Sequence, residues 1–292
     1  MTRRRLCDKL QASSLDSRSI ALERLTATAI QAGLCTNLLG KNIISLDVVD
    51  STNALAMSLA RQGAPEGTLV IAEDQTAGRG RLGRPWWAPA RTSLLLSLIF
   101  RPEFEARRAQ GLTMTCGLAV RAAVRTATGL VAQLKWPNDI VLRGRKAGGI
   151  LTNMSVTGER LASVVVGIGL NVNIPLAALP PEFQATSLSH ELGQPVPRIP
   201  LLQNLLLEVE RRYENLRSGK WPVEEWAAAL ETLGQHVALH TSDGQWEGTA
   251  ESVDEEGALL VRLDSGQLRR VLVGDVVAAP RAGGARPQRC LA

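Results

Sequence analysis

The chain has 292 residues, of which 45% are hydrophobic, and a formal net charge of +5. That composition fits a globular protein with a sizeable core, built as one large domain or two smaller ones. The positive excess is local, in Arg3-Arg4-Arg5, in a loop near residue 80 and between Arg281 and Arg289. It therefore argues for discrete anion sites more than for a surface coated by nucleic acid.

Six Trp, three Phe and one Tyr are too few for a platform that stacks bases. No apolar run is long enough to span a bilayer, and no signal peptide precedes Cys7. Cys7, Cys35, Cys116 and Cys290 are far apart, which excludes a C-x-x-C metal or redox pattern. Reduced cysteines and a cytoplasmic protein are expected.

In chain order, residues 1–40 read as a helical, amphipathic extension. Ile20, Leu22, Leu25 and Ile30 share a stripe that stops before Gly33. Ile43 to Val49 reads as a strand. Ser51-Thr52-Asn53 then caps a helix that begins near Ala54 and ends at Gly63 and Pro65. Thr68 to Ala72 is a buried strand leading into Glu73-Asp74-Gln75. Ser93 to Phe100 is the next strand, and a longer helix runs from about Arg107 to Thr128.

Further strands are expected at Ala132–Trp136, Ile140–Arg143, Gly149–Thr157 and Leu161–Asn173. The last is apolar on both faces and so central. A short helix near Ser187–Leu192 lies in a proline-rich loop, followed by helices at Leu201–Arg217 and Trp221–Leu233. After Gly234 the pattern changes. Short strands at His236–His240, Trp246–Val253, Ala258–Arg262 and Leu268–Leu272 are separated by Asp243-Gly244, Glu256-Gly257 and Ser265-Gly266. These are hairpin turns, and the segment suffices for a small SH3-like barrel. The tail after Pro280 reads as disordered.

Four segments carry the chemistry. Gly78-Arg79-Gly80-Arg81-Leu82-Gly83-Arg84 holds three arginines and three glycines with no acid, and Pro85-Trp86-Trp87 follows. Such a loop is mobile, basic and suited to closing on an anion; a solvated surface loop and a nucleic-acid patch are the competing readings. Ser51-Thr52-Asn53 is either a plain cap or a set of polar groups that bind a ligand beside a helix N-terminus.

Lys135-Trp136-Pro137-Asn138-Asp139 puts a compact cation at a strand end, because proline forces Trp136 into an extended conformation. An ordinary strand-turn with an exposed lysine fits too. Gly167-Ile168-Gly169-Leu170-Asn171-Val172-Asn173 places glycines inside a buried strand, which marks close approach of a ligand or another backbone. It is no dinucleotide fingerprint, since the third glycine and following helix are absent.

Taken in order, Ser-Thr-Asn, the arginine loop, Lys-Trp-Pro-Asn-Asp with the following Arg145-Lys146-Ala147-Gly148-Gly149-Ile150-Leu151, and Gly-Ile-Gly-Leu-Asn-Val-Asn resemble bacterial biotin protein ligases over about residues 43–280. The resemblance implies an α/β (α+β) fold. A mixed sheet flanked by helices would form a catalytic domain of the class II aminoacyl-tRNA synthetase/biotin synthetase type, with an SH3-like C-terminal β-barrel. The corresponding division is an N-terminal extension at 1–40, a catalytic domain at 41–233, a barrel at 234–279 and a tail at 280–292.

It also implies ATP and Mg²⁺, formation of biotinyl-5′-AMP, and transfer to a lysine of a biotin carboxyl carrier protein. The family's biotin contacts fall on Ser51, Thr52, Asn53, Gln75, Arg79, Gly80, Arg81 and Lys135, its nucleotide contacts on Gly78, Arg81 and Asn171. Arg79, Arg81 and Lys135 are the catalytic candidates, and no protein metal ligands are expected. Too few residues precede the first strand for a winged helix, so a short form without DNA binding is expected. The family's late arginine has no clear counterpart, because Ala278-Ala279 occupy its neighbourhood. Some members dimerise through sheet edges, and no edge here is marked for it. A lipoate or octanoyl transferase and a DNA-binding regulator are the alternative readings.

Overall fold

The structure is a computed structural model that describes residues 23–157, 160–179, 184–241 and 244–279. Expectations for Arg3-Arg4-Arg5, Ile20, Leu22, Cys7, Cys290, Arg281 and the tail at 280–292 lie outside these residues.

Seven strands form the main sheet: β1 (Ile43–Val49), β2 (Leu69–Gln75), β3 (Ser93–Phe100), β4 (Gln133–Lys135), β5 (Asp139–Leu142), β6 (Arg145–Thr157) and β7 (Arg160–Asn171). Their order is β1-β2-β3-β7-β6-β5-β4. β1 and β2 are parallel, and the remaining neighbours are antiparallel. β7 holds the middle position, as its two-sided apolar run requires. Val165 packs with Ile99, Val70 and Ala56 under helix α2 (Thr52–Arg61) on one face. Val164 and Val166 join the large core on the other face, with helices α3 (Gln110–Thr128) and α5 (Arg198–Arg217). Alternation along a pleated strand thus feeds two cores from one sequence run.

The N-terminal expectation needs correction. Within residues 23–40 only Ala27–Gln31 is helical (α1), capped by the Thr26 hydroxyl. The backbone after it is satisfied from α5 instead. The Glu210 carboxylate accepts N–H groups of Asn37, Leu38 and Leu39 at 2.6, 2.7 and 2.8 Å, and Gln203 donates to the Ile30 carbonyl at 2.9 Å. The three Glu210 bonds are charge-assisted, and they replace the helical ladder. Leu25 and Ile30 are buried, so the foreseen stripe does pack on the core.

A buried ion network fixes the same segment. Arg198, only 1% exposed, reaches the Glu73 carboxylate at 2.6 Å and donates to the Glu23 carbonyl at 2.7 Å. Helix α5 starts at Arg198, before the expected Leu201, because Pro200 sits in the first turn, where its missing N–H costs nothing. Short helix α4 (Leu188–Leu192) begins at its Ser187 cap. Helix α6 (Val223–Ala229) is shorter than expected. Leu230 bridges Leu134, and the Glu231 N–H donates to the Leu134 carbonyl at 2.8 Å, which covers the β4 edge.

The C-terminal sheet has five antiparallel strands: β8 (His236–Thr241), β9 (Gly244–Val253), β10 (Leu259–Leu263), β11 (Leu268–Val271) and β12 (Asp275–Ala278), in the order β11-β10-β9-β8-β12. β12 was not foreseen; it is too short to show a period and becomes a strand by pairing with β8. Gly257, with φ 81°, makes the predicted turn. A Cβ there would lie 2.2 Å from the Met114 methyl, so this turn is where the barrel rests on α3. Cys116 is free and buried in α3. Cys35 is disulfide-bonded, which corrects the expectation that every cysteine is reduced.

Candidate active site

One cavity of about 950 Å³ opens over the carboxyl end of β2, the turn between β4 and β5, and the middle of β7. Ser51, Thr52, Asn53, Gln75, Arg79, Gly80, Arg81, Lys135 and Asn171 all line it. Of the expected site residues only Gly78 does not. It forms the base of the arginine loop, where a Cβ would meet the Trp86 carbonyl at 2.8 Å.

The polar floor is assembled by the start of α2. The Ser51 side chain accepts from the Ala54 N–H, so the capping reading holds. Ser51, Thr52 and Asn53 are also buried in the cavity wall, so the cap and the site are one feature. Gln75, at the end of β2, accepts from the Thr52 N–H at 2.8 Å and from its hydroxyl at 3.1 Å. The Thr52 and Ser97 hydroxyls are 3.0 Å apart. The Asn53 side-chain Oδ1 accepts from the Asn153 amide at 2.9 Å. Groups from α2, β2, β3 and β6 thus hold one another in place before any ligand arrives.

The arginine loop is an ordered hairpin. Trp86 N–H donates to the Gly78 carbonyl at 2.9 Å and Gly80 N–H to the Arg84 carbonyl at 2.8 Å. A 3₁₀ turn, Arg81–Gly83, forms its tip, with Leu82 left-handed at φ 55°. Arg81 donates to the Asn138 side chain at 3.3 Å and to the Gly274 carbonyl at 3.1 Å. Burial pulls its guanidinium below its usual value, while Asp275 and Asp139 pull it back up. Arg84 pairs with Asp275.

Lys135 sits at the end of β4, opposite Asp139 on β5. Among the described residues, the side chains of Lys135 and Arg79 make no hydrogen bond or ion pair, so they are available to ligand anions. Lys146 is bound to Asp139 at 2.6 Å. Five cations (Arg79, Arg81, Arg84, Lys135, Lys146) face two carboxylates, Asp139 and Asp275, in the lining. The cavity therefore carries a positive surplus suited to more than one anionic group.

The glycines of the Gly-x-Gly strand do meet close neighbours, but these are side chains, in place of the ligand or backbone expected. A Cβ on Gly169 would lie 2.6 Å from the Trp86 ring, and one on Gly149 3.4 Å from it. The indole therefore lies on β7 and β6, with Lys146 Nζ 5.8 Å from its centroid. Gly167 leaves room for Asn53, whose amide would lie 3.0 Å from an added Cβ. Asn171 donates to the Thr186 carbonyl at 3.0 Å. Its side-chain oxygen Oδ1, like Trp86 Nε1, is buried without a partner. Such groups call for a partner that a ligand can supply.

No group of three or more His, Cys, Asp or Glu side chains that could cage an ion occurs among the described residues. Asp139 and Asp275 are each already paired with a cation. The residues present do not fit a dedicated Mg²⁺ site of the protein.

Sequence reading missed Trp86, Asn138 and Lys146 as site members, although all three stood in the quoted motifs, and it left Asp139 open between a base and a structural role. It also missed His240, Asp275, Val276 and Val277, which enter the lining from the barrel. No local pattern marks those four, because docking of the two sheets brings them there.

Residues 45–171 match the family model "Biotin/lipoate A/B protein ligase family", and residues 232–278 match "Biotin protein ligase C terminal domain". The chain is 37% identical over 257 residues to a bifunctional ligase/repressor BirA of Bacillus spizizenii, covering 87% of this chain and 79% of the relative. It is 35% identical over 229 residues to the biotin--[acetyl-CoA-carboxylase] ligase of Paracoccus denitrificans, covering 75% of this chain and 93% of that one. Among solved structures, the biotin protein ligase from Aquifex aeolicus in complex with biotin and ATP superposes with a TM-score of 0.71 at 29% identity, over 82% of this chain and 100% of the other.

Proposed function

The chain belongs to the biotin/lipoate A/B protein ligase family, and from that premise we infer how its cavity works as a biotin protein ligase. The enzyme activates biotin with ATP and transfers it to a carrier protein. In the first step a biotin carboxylate oxygen attacks the α-phosphorus of ATP; biotinyl-5′-AMP forms and pyrophosphate leaves. In the second a carrier lysine amine attacks the acyl carbon. The amide forms, AMP leaves, and the amine loses a proton.

We propose that Ser51, Thr52, Asn53, Gln75, Arg79, Gly80, Arg81 and Lys135 bind biotin, that Arg81 and Asn171 meet the nucleotide, and that Gly78 shapes the loop over it. The observation that carries this reading is the pair of unpartnered cations, Arg79 and Lys135, in a cavity whose other cations are already held by protein acceptors. Bringing two anions to about 4 Å costs about 4 kcal/mol at an effective dielectric constant near 20, and these two groups offset it. Arg79, Arg81 and Lys135 then act by positioning and charge stabilisation. Mg²⁺ would arrive on the polyphosphate itself, and no step is assigned to it.

We take residues 41–233 as the catalytic unit and 234–279 as the barrel, because each range builds its own sheet. The proposed partner is a biotin carboxyl carrier protein of the acetyl-CoA carboxylase type. DNA is not proposed as a partner, since residues 23–40 are tied to α5 through Arg198, Gln203 and Glu210. ATP use favours the cytoplasm, and no helix among the described residues is long and apolar enough to cross a membrane.

The test is transfer. Purified protein, ATP, Mg²⁺, biotin and a carrier domain should give an avidin-reactive carrier, and a carrier with its target lysine changed to arginine should stay blank. Equal modification with lipoate in place of biotin would overturn the substrate assignment.

A further inference from the structure

We propose that Asp275 is a positioning residue that clasps the arginine loop onto the C-terminal barrel, so that the barrel sets how tightly the cavity closes. The loop tip has little else to hold it. Leu82 is 66% exposed, and nothing lies within 4 Å of a Cβ placed on Gly83. Past its own hairpin bonds, the loop is tied by Arg84 to the Asp275 carboxylate, and by Arg81 to the Gly274 carbonyl and Asn138.

The barrel side of the clasp is firm. Asp275 pairs with His240 in the β12–β8 register, and a Cβ on Gly274 would meet the His240 carbonyl at 3.0 Å. The loop side is exposed: the Arg84 side chain is 67% accessible, against 21% for Asp275 on the barrel. An ion pair so open to water is worth a small factor in an equilibrium, about five-fold. The clasp can therefore open to admit substrates and close again afterwards. Its catalytic consequence rests on the ligase reading above; the contact itself does not.

The experiment uses the full chain with Asp275→Asn, Asp275→Glu, Arg84→Gln and the Asn/Gln double variant. The first readout needs no ligand: the rate of tryptic cleavage after Arg79 and Arg81, mapped by mass spectrometry against cleavage elsewhere. Asp275→Asn should raise that rate about five-fold, with other sites unchanged. Arg84→Gln should do the same from the loop side, without touching the barrel strand. The double variant should add nothing further, and Asp275→Glu should restore most of the protection.

The second readout is retention of preformed biotinyl-AMP. Its half-life should shorten by a similar factor in Asp275→Asn and recover in Asp275→Glu. Unchanged cleavage, or additive single effects, overturns the clasp. A protein that shows the cleavage pattern yet forms no adenylate keeps the clasp and loses the ligase reading.

Discussion

The indole Nε1 of Trp136 donates to the carbonyl of Gly257 at 3.0 Å. This bond joins the strand end that carries Lys135 to the β9–β10 turn of the barrel. Trp136 is 1% exposed, and its backbone N–H donates to the Thr232 hydroxyl at 2.9 Å. The residue beside the expected catalytic lysine is thus also the pin between the two sheets. Trp136→Phe removes a buried donor, leaves the Gly257 carbonyl unsatisfied and opens a small cavity. The expected loss is about 2–4 kcal/mol of unfolding free energy in urea. A change below about 0.5 kcal/mol would mean the pin is not a pin.

Gly169 and Gly149 both lie under the Trp86 ring, at different clearances. An added methyl at Gly169 collides with the indole at 2.6 Å, whereas at Gly149 it meets the ring at 3.4 Å. Gly169→Ala should therefore expel Trp86 and lower adenylate formation at least about ten-fold, while Gly149→Ala changes it far less. Single-turnover kinetics of both variants, with Tm as the control for folding, make the comparison. Equal effects would show that the ring position does not matter.

Lys135 and Arg81 should matter more than either glycine. Removing a preorganised cation from developing charge typically costs about a hundred- to a thousand-fold in rate. Lys135→Ala and Arg81→Ala should each lose adenylate formation on that scale with Tm nearly unchanged. Arg79→Ala should instead release biotinyl-AMP, read as labelling of unrelated lysines in a bystander protein. Unaltered rates in the first pair and no labelling in the second would mean these positions are misassigned.

Most of the fold was legible because the signals were local. The alternation and apolar runs of β1, β3 and β7 set their faces, and the Ser51 cap set the start of α2. The four site motifs were legible because each packs its chemistry into a short stretch. What escaped depends on contacts between distant segments. Residues 32–40 have a helical stripe before them, yet Glu210 takes three of their N–H groups and holds them out of a helix. β12 has no period of its own and exists by pairing with β8. Asp275 looks like any turn acid until the barrel docks against the arginine loop.

Arg198 offers a test of the buried network at the N-terminal segment. Arg198→Met leaves Glu73, 5% exposed, buried without its cation, and should cost about 3–5 kcal/mol. Adding Glu73→Gln should recover part of that loss in a double-mutant cycle, measured by urea unfolding. Additive losses would show that the two side chains are not coupled.

Cys116 is fully buried in α3, and burial alone pushes its thiol up to about 12. The sign follows from that direction. Well below the ordinary thiol value, at about pH 7 and under, the thiol is neutral in both folded and unfolded chains and contributes nothing. Above it the unfolded chain loses the proton first, so stability falls as pH rises toward 12. In the native protein Cys116 should resist alkylation at pH 8 and react only after unfolding, as peptide mapping would show. Rapid native labelling would contradict the burial.

The most direct test of the central claim is biotin-dependent exchange of labelled pyrophosphate into ATP by the purified, folded protein. The account predicts exchange that requires biotin and Mg²⁺ together and that falls at least about a hundred-fold in Lys135→Ala. Absence of exchange in the wild-type protein, or exchange that proceeds equally without biotin, would contradict it.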